Sequence, residues 1–167
     1  MSQLARFERS LKRAQGAVSG LVATADATEQ QARWEEFLIW WRTAFNQMSD
    51  FCHLSGQEAI AEAAHAKRKA DDALNYVWEA RNAEEHASAG SGDPHASSVT
   101  SQVTYNGEPV THMGEAVVVT LMQTKLRLRP VNIGKSSKTI SPPDLTVQEL
   151  ARRALDFLID VKTPVVW

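Results

Sequence analysis

Cysteine is almost absent: Cys52 is the only one in 167 residues. A single thiol excludes an intrachain disulfide and any zinc site built from several cysteines. No apolar stretch approaches the ~20 residues that span a bilayer. Near the N-terminus Leu4, Phe7 and Leu11 are interrupted by Arg6, Glu8, Arg9, Lys12 and Arg13, which argues against a signal peptide and makes the cytoplasm the expected compartment. Charge of one sign is also lacking. The net charge is −2 and the pI about 6.2, so no global basic field attracts nucleic acid, and any such site must be local. Gly134-Lys135-Ser136 lacks the upstream glycine of a phosphate-binding loop, no serine sits in a nucleophile elbow, and no internal repeat is evident.

What is present is mostly helical. The pattern predicts one α+β domain over 1–167: an antiparallel helical hairpin or bundle, a small antiparallel β-meander, and a C-terminal helix. Residues 3–15 read as a short amphipathic helix, followed by a weakly patterned stretch to Thr28, with Asp26 or Thr28 as a cap. Trp34, Phe37, Leu38, Trp41, Phe45, Met48 and Cys52 recur at three- and four-residue steps and define a helix over 29–53. Ile39, Trp40 and Phe51 broaden its apolar face, which calls for burial on two sides, against two helices or a second subunit; one partner helix is too little cover, and a homodimer is expected. After Ser55-Gly56, residues 57–88 predict one long alanine-rich helix, completing a helical core over 1–88.

Residues 87–97 have the composition of a loop. A β-element is expected over 98–130. Val99 to Tyr105 alternates ahead of Asn106-Gly107, a hairpin signal, and Ala116 to Arg129 is a second strand ending at Pro130. Thr146 and Glu149 match a capping box that opens a helix over 146–162.

The most informative stretch is 76–86, which carries Arg81, Asn82 and His86. A guanidinium holds phosphate through two parallel bonds, and an imidazole exchanges protons near neutral pH. The stripe Leu74, Val77, Trp78 leads to Arg81, placing an arginine where a core residue belongs. His86 lies five positions on, about 140° around an ideal helix, so a bend or a second chain is needed to bring both tips to one point.

The pattern Arg81-Asn82-Xaa3-His86 resembles the Arg-Xaa4–6-His signature of the HEPN superfamily, including the polar residue after the arginine. The resemblance covers roughly 29–88. It implies a helical bundle that dimerises so that two motifs face one cleft. Many members are metal-independent endoribonucleases of toxin–antitoxin and other defence systems, and others are binding modules without activity. By this resemblance Arg81 would grip the scissile phosphate, His86 would be general acid or base, and Asn82 would hydrogen-bond within the site. No cofactor is implied. RNA and a cognate antitoxin or other protein are the implied partners. A β-segment after the motif departs from the family pattern. A non-catalytic helical module that dimerises and binds a protein is the alternative from the same residues.

Two weaker candidates remain. Lys125, Arg127 and Arg129 alternate on one strand face, opposite Leu126 and Leu128, as a solvated edge or a phosphate-contacting patch. Glu62 and His65 match half of a di-iron Glu-Xaa-Xaa-His site, with no second half in the chain. His53, His95 and His112 read as surface residues, and Cys52 as a buried filler.

Overall fold

In the computed structural model, helices α1 (Gln3–Ala23), α2 (Ala27–Leu54), α3 (Glu58–Ala70), α4 (Asp72–His86) and α5 (Val147–Lys162) form the body, and a β-element is inserted between α4 and α5. The structure describes residues 2–86, 91–105, 108–112, 115–132 and 139–167; within these the side chains of residues 86, 93, 97–100, 105, 112 and 119–124 fall outside the description. No described helix is long and apolar enough to cross a membrane.

α1 extends well past the expected 3–15. Ala14, Ala17, Val18 and Leu21 keep the three- and four-residue spacing of Phe7 and Leu11 and stay buried, so small residues continue the helix rather than end it. Asp26 caps α2 by accepting the Glu29 N–H at 2.8 Å. The Arg13 guanidinium lies over the Trp40 ring, and the Ser10 hydroxyl donates to Gln47, a pairing that makes α1 and α2 antiparallel neighbours.

α2 carries the core. Trp34, Phe37, Leu38, Trp41 and Phe45 are fully buried. Trp41 donates its indole N–H to the Ala154 carbonyl of α5 at 2.7 Å, and Phe45 stacks on Phe157 at 6.0 Å. The stripe from Trp34 to Cys52 is buried by helices of the same chain, while Ile39, which broadens the face, stays exposed.

The expected single helix over 57–88 is two. The chain turns at Gly56, whose φ of 72° is a left-handed conformation that favours glycine. It breaks again at Asp71, which adopts an extended backbone and accepts the Leu74 N–H, capping α4. Arg153 of α5 donates to the other Asp71 oxygen, pinning the break. Burial, the largest single influence, raises the Asp71 pKa, but the Arg153 and Leu74 hydrogen bonds, the Arg153 charge and the Ala73 N–H together hold it below its ordinary value. At the start of α5 the capping box is complete, with Thr146 and Glu149 bonded reciprocally.

The β-element begins earlier than expected, since residues 92–97 are strand rather than loop. β1 (Gly92–Gln102) pairs antiparallel with β6 (Val118–Leu128) along their whole length, forming a stem. Two short hairpins branch from its far end: β2 (Thr104–Tyr105) with β3 (Glu108–Pro109), and β4 (Thr111–His112) with β5 (Glu115–Ala116). The branch point is a ring of three backbone bonds. Val103 N–H donates to Val117 at 2.9 Å, Val117 N–H to Val110 at 2.8 Å, and Val110 N–H to Val103 at 2.9 Å.

A repeat underlies this junction, although none is evident from residue pattern alone. Val103-Thr-Tyr-Asn-Gly-Glu-Pro is followed by Val110-Thr-His-Met-Gly-Glu-Ala and then Val117. Each unit provides a junction valine and a strand pair; residues 106–107 and 113–114, which include Gly107 and Gly114, lie outside the described set. A final short pair, β7 (Val131–Asn132) with β8 (Thr139–Ile140), leads to α5.

Candidate functional site

Arg81 and Asn82 lie in the last turns of α4. Arg81 is not a core residue. Its side chain is 19% exposed and pairs at 2.7 Å with Glu85, four residues on and 41% exposed. The arginine that occupies the core face is Arg68 of α3, at 4% exposure, continuing the buried positions Ala61 and Ala64. Within α4 the buried face runs through Ala73, Leu74, Tyr76, Val77 and Ala80, and Trp78 is only partly buried, so Arg81, three residues beyond it, falls at the edge of that face rather than on it.

Trp78 organises the cations. The Arg42 guanidinium of α2 lies 4.0 Å from its ring centroid, and that of Arg68 lies at 4.4 Å. Edges of the Trp78 cluster are closed by Trp41, Phe45 and His65. Arg68 donates to the Asn75 amide oxygen at 3.1 Å, leaves its buried Nε without a partner, and forms no ion pair among the described residues. Burial lowers its pKa most strongly; Glu79 opposes that and Arg42 adds to it.

Arg42 connects this cluster to the motif. It donates to the Asn82 side-chain oxygen, and Asn82 in turn donates to Glu79 at 2.8 Å. Burial is again the largest influence and lowers the Arg42 pKa. Glu85 opposes it, the Arg81 charge adds to it, and Glu79 opposes it. Arg42, Arg68 and Arg81 thus share two carboxylates, Glu79 and Glu85. Neither Arg42 nor Arg68 stood out in the sequence. Arg68 is recoverable from its spacing to Ala61 and Ala64. Arg42, beside the aromatic stripe, carries no signal of its own.

His86 is the last residue of α4, and its side chain lies outside the described set. The helix end itself is well anchored. The Ser91 N–H and hydroxyl both donate to Glu84, and Trp34 donates its indole N–H to the Ser91 hydroxyl at 2.9 Å. Tyr76 donates to the Arg129 carbonyl at 2.7 Å, and burial raises its pKa. The base of the stem is therefore tied directly to the motif-bearing helix.

On the stem Lys125, Arg127 and Arg129 are exposed, while Leu126 and Leu128 are buried against the body, as the alternation predicts. Lys125 and Arg127, with His95, line a groove of about 590 Å³ between the stem and residues 142–148. The Leu126 N–H at its floor donates to Gln30 at 3.2 Å.

Glu62 and His65 do not converge. Glu62 is exposed, whereas His65 meets the Ser49 hydroxyl at 3.1 Å and the edge of Phe45. Burial first, then the charges of Arg68, Lys69 and His53, lower the His65 pKa. No group of three or more potential metal ligands gathers among the described residues. Cys52 is fully buried beside Met48, and burial raises its pKa, which leaves it inert. His53 and His95 are exposed, and the His112 side chain lies outside the described set. Compared with protein-family models, curated proteins and solved structures, the chain matches none.

Proposed function

We propose that the protein is a HEPN-like RNA-binding protein that cleaves RNA without a metal, using Arg81 and His86, with Asn82 positioning the site. The carrying observation is the state of Arg81, which is neither sealed in the core nor loose in solvent. It is half-buried at the end of an anchored helix, and its only partner among the described residues is an exposed carboxylate on the same helix. Phosphate is an alternative anion for the same planar donors and can take the place of the exposed Glu85 carboxylate on Arg81.

In this chemistry a ribose 2′-oxygen attacks the adjacent phosphorus and the 5′-oxygen leaves. The 2′-oxygen loses its proton as it attacks and the leaving 5′-oxygen gains one; His86 performs one of these transfers, water the other, and Arg81 neutralises charge growing on the phosphoryl oxygens. The products are a 2′,3′-cyclic phosphate and a 5′-hydroxyl. Lys125, Arg127 and Arg129 would add phosphate contacts along the stem. The reading carries with it a homodimer with two motifs at one cleft, a cytosolic compartment, and a toxin or defence role with a cognate protein partner.

The test is incubation of single-stranded RNA with the full chain in EDTA. Cleavage to cyclic-phosphate ends is expected, with loss of about 10²–10⁴-fold in rate in His86→Ala and a comparable loss in Arg81→Ala, both folded. Absence of cleavage by the unaltered protein, or its persistence in both variants, contradicts the reading. A second reading, a non-catalytic interaction module, is favoured by the Arg81–Glu85 ion pair, which satisfies Arg81 without any ligand. It predicts that Arg81→Ala lowers stability and changes no reaction.

A further inference from the structure

Arg42 comes from α2, far from the motif in sequence, yet it bonds the motif's Asn82 and feels the charges of both Arg81 and Glu85. Its guanidinium is held against Trp78, so its position is fixed by packing rather than by an ion pair. Arg81 is held by Glu85 at 2.7 Å. One carboxylate therefore sits in the field of two guanidiniums brought together from two helices. A third, Arg68, lies over the same indole with its buried Nε unpartnered, and the three guanidiniums are met by two carboxylates, Glu79 and Glu85.

We infer that Arg42 and Arg81 form a two-armed clamp for an RNA phosphodiester, and that Glu85 is its internal occupant, a carboxylate standing where the phosphate binds. The inference rests on the RNA reading of the motif and deepens it by adding a residue and a competitor. Carboxylate and phosphate are alternative anions for the same planar donors. Release of Glu85 costs little because it is exposed and keeps its solvation. Asn82, which accepts from Arg42 in the empty site, passes that donor to the phosphate and remains tied to Glu79.

The experiment is fluorescence anisotropy of a labelled single-stranded RNA against the full chain over a range of salt, with Glu85→Gln, Arg42→Gln and Arg81→Gln. Glu85→Gln is expected to tighten binding about threefold to tenfold, because it removes a competing anion and a repelling charge. Arg42→Gln and Arg81→Gln are each expected to weaken it about tenfold and to lower the salt slope by about 0.7, one phosphate contact on a single strand. Thermal melts accompany each variant. Since Glu85 is exposed, its variant stays informative if Arg42→Gln fails to fold.

Unchanged or weaker binding by folded Glu85→Gln overturns the clamp. So does unchanged binding by folded Arg42→Gln. If cleavage still depends on Arg81 and His86 in either case, the ribonuclease reading stands and the clamp alone is lost. If no cleavage is found but the binding pattern holds, the clamp stands as an RNA-binding site and catalysis is lost. If the unaltered protein binds no RNA, both fall.

Discussion

Arg42 and Arg68 lie over Trp78 within the helical body, whereas Lys125 and Arg127 stand in solvent on the stem. The first pair has given up hydration for fixed geometry against an aromatic face. The second keeps its hydration on a backbone set by the β1–β6 register. Fixed cations can aim at one phosphate. Solvated ones supply attraction that salt screens over about 10 Å. The difference separates where chemistry can occur from where a strand can merely be held.

The largest effect is expected at Trp78. Trp78→Ala removes the surface on which both body arginines rest, and a stability loss of about 3–5 kcal/mol is expected in urea denaturation. A loss below about 1 kcal/mol would show that the arginines are not organised by this ring. Arg68→Met replaces a buried, unpaired charge by an apolar side chain of similar length. Stability is expected to stay level or rise by about 1 kcal/mol, while RNA affinity falls. Marked destabilisation would mean that Arg68 is structural.

A smaller effect is expected from pH. The folded protein lowers the His65 pKa below its ordinary value of about 6.5. The unfolded chain therefore takes up a proton first as pH falls, and stability declines from about pH 6.5 downward. Melting temperatures of His65→Gln should show a shallower decline over that range, and parallel curves would remove His65 from the account. The smallest stability change belongs to the stem. Lys125→Gln and Arg127→Gln should each shift stability by less than about 0.5 kcal/mol. Each should weaken RNA binding and lower the salt slope by about 0.7. An unchanged slope in both variants would confine binding to the body.

The helical architecture was largely legible. The stripe Trp34 to Cys52 and the Thr146–Glu149 box announce α2 and α5 because both are dictated by local spacing and capping. The breaks were harder. Asp71 and Asp72 follow a run of helix formers, and nothing local shows that Asp71 will take an extended backbone until Arg153, distant in sequence, is seen holding it. The Arg81 position has a different cause: Trp78 extends the stripe from Leu74 and Val77 towards Arg81, but Trp78 is only partly buried and the core face continues to Ala80, which leaves Arg81 at its edge. The branched β-element was missed for another reason. Its units are only seven residues long and differ at several positions, so the repeat emerges when Val103, Val110 and Val117 are seen bonded in a ring. At the candidate site the motif could be read directly, but Arg42 could not, because its role depends on how α2 and α4 cross at Trp78.

The most direct test of the account is a crystal structure of the full chain with an RNA carrying a single 2′-deoxy substitution at the scissile position. The account predicts a phosphate in place of the Glu85 carboxylate on Arg81, with a His86 imidazole, from the same or the second copy, about 3 Å from a reacting oxygen. A structure in which Arg81 remains on Glu85 and the RNA lies elsewhere would contradict it.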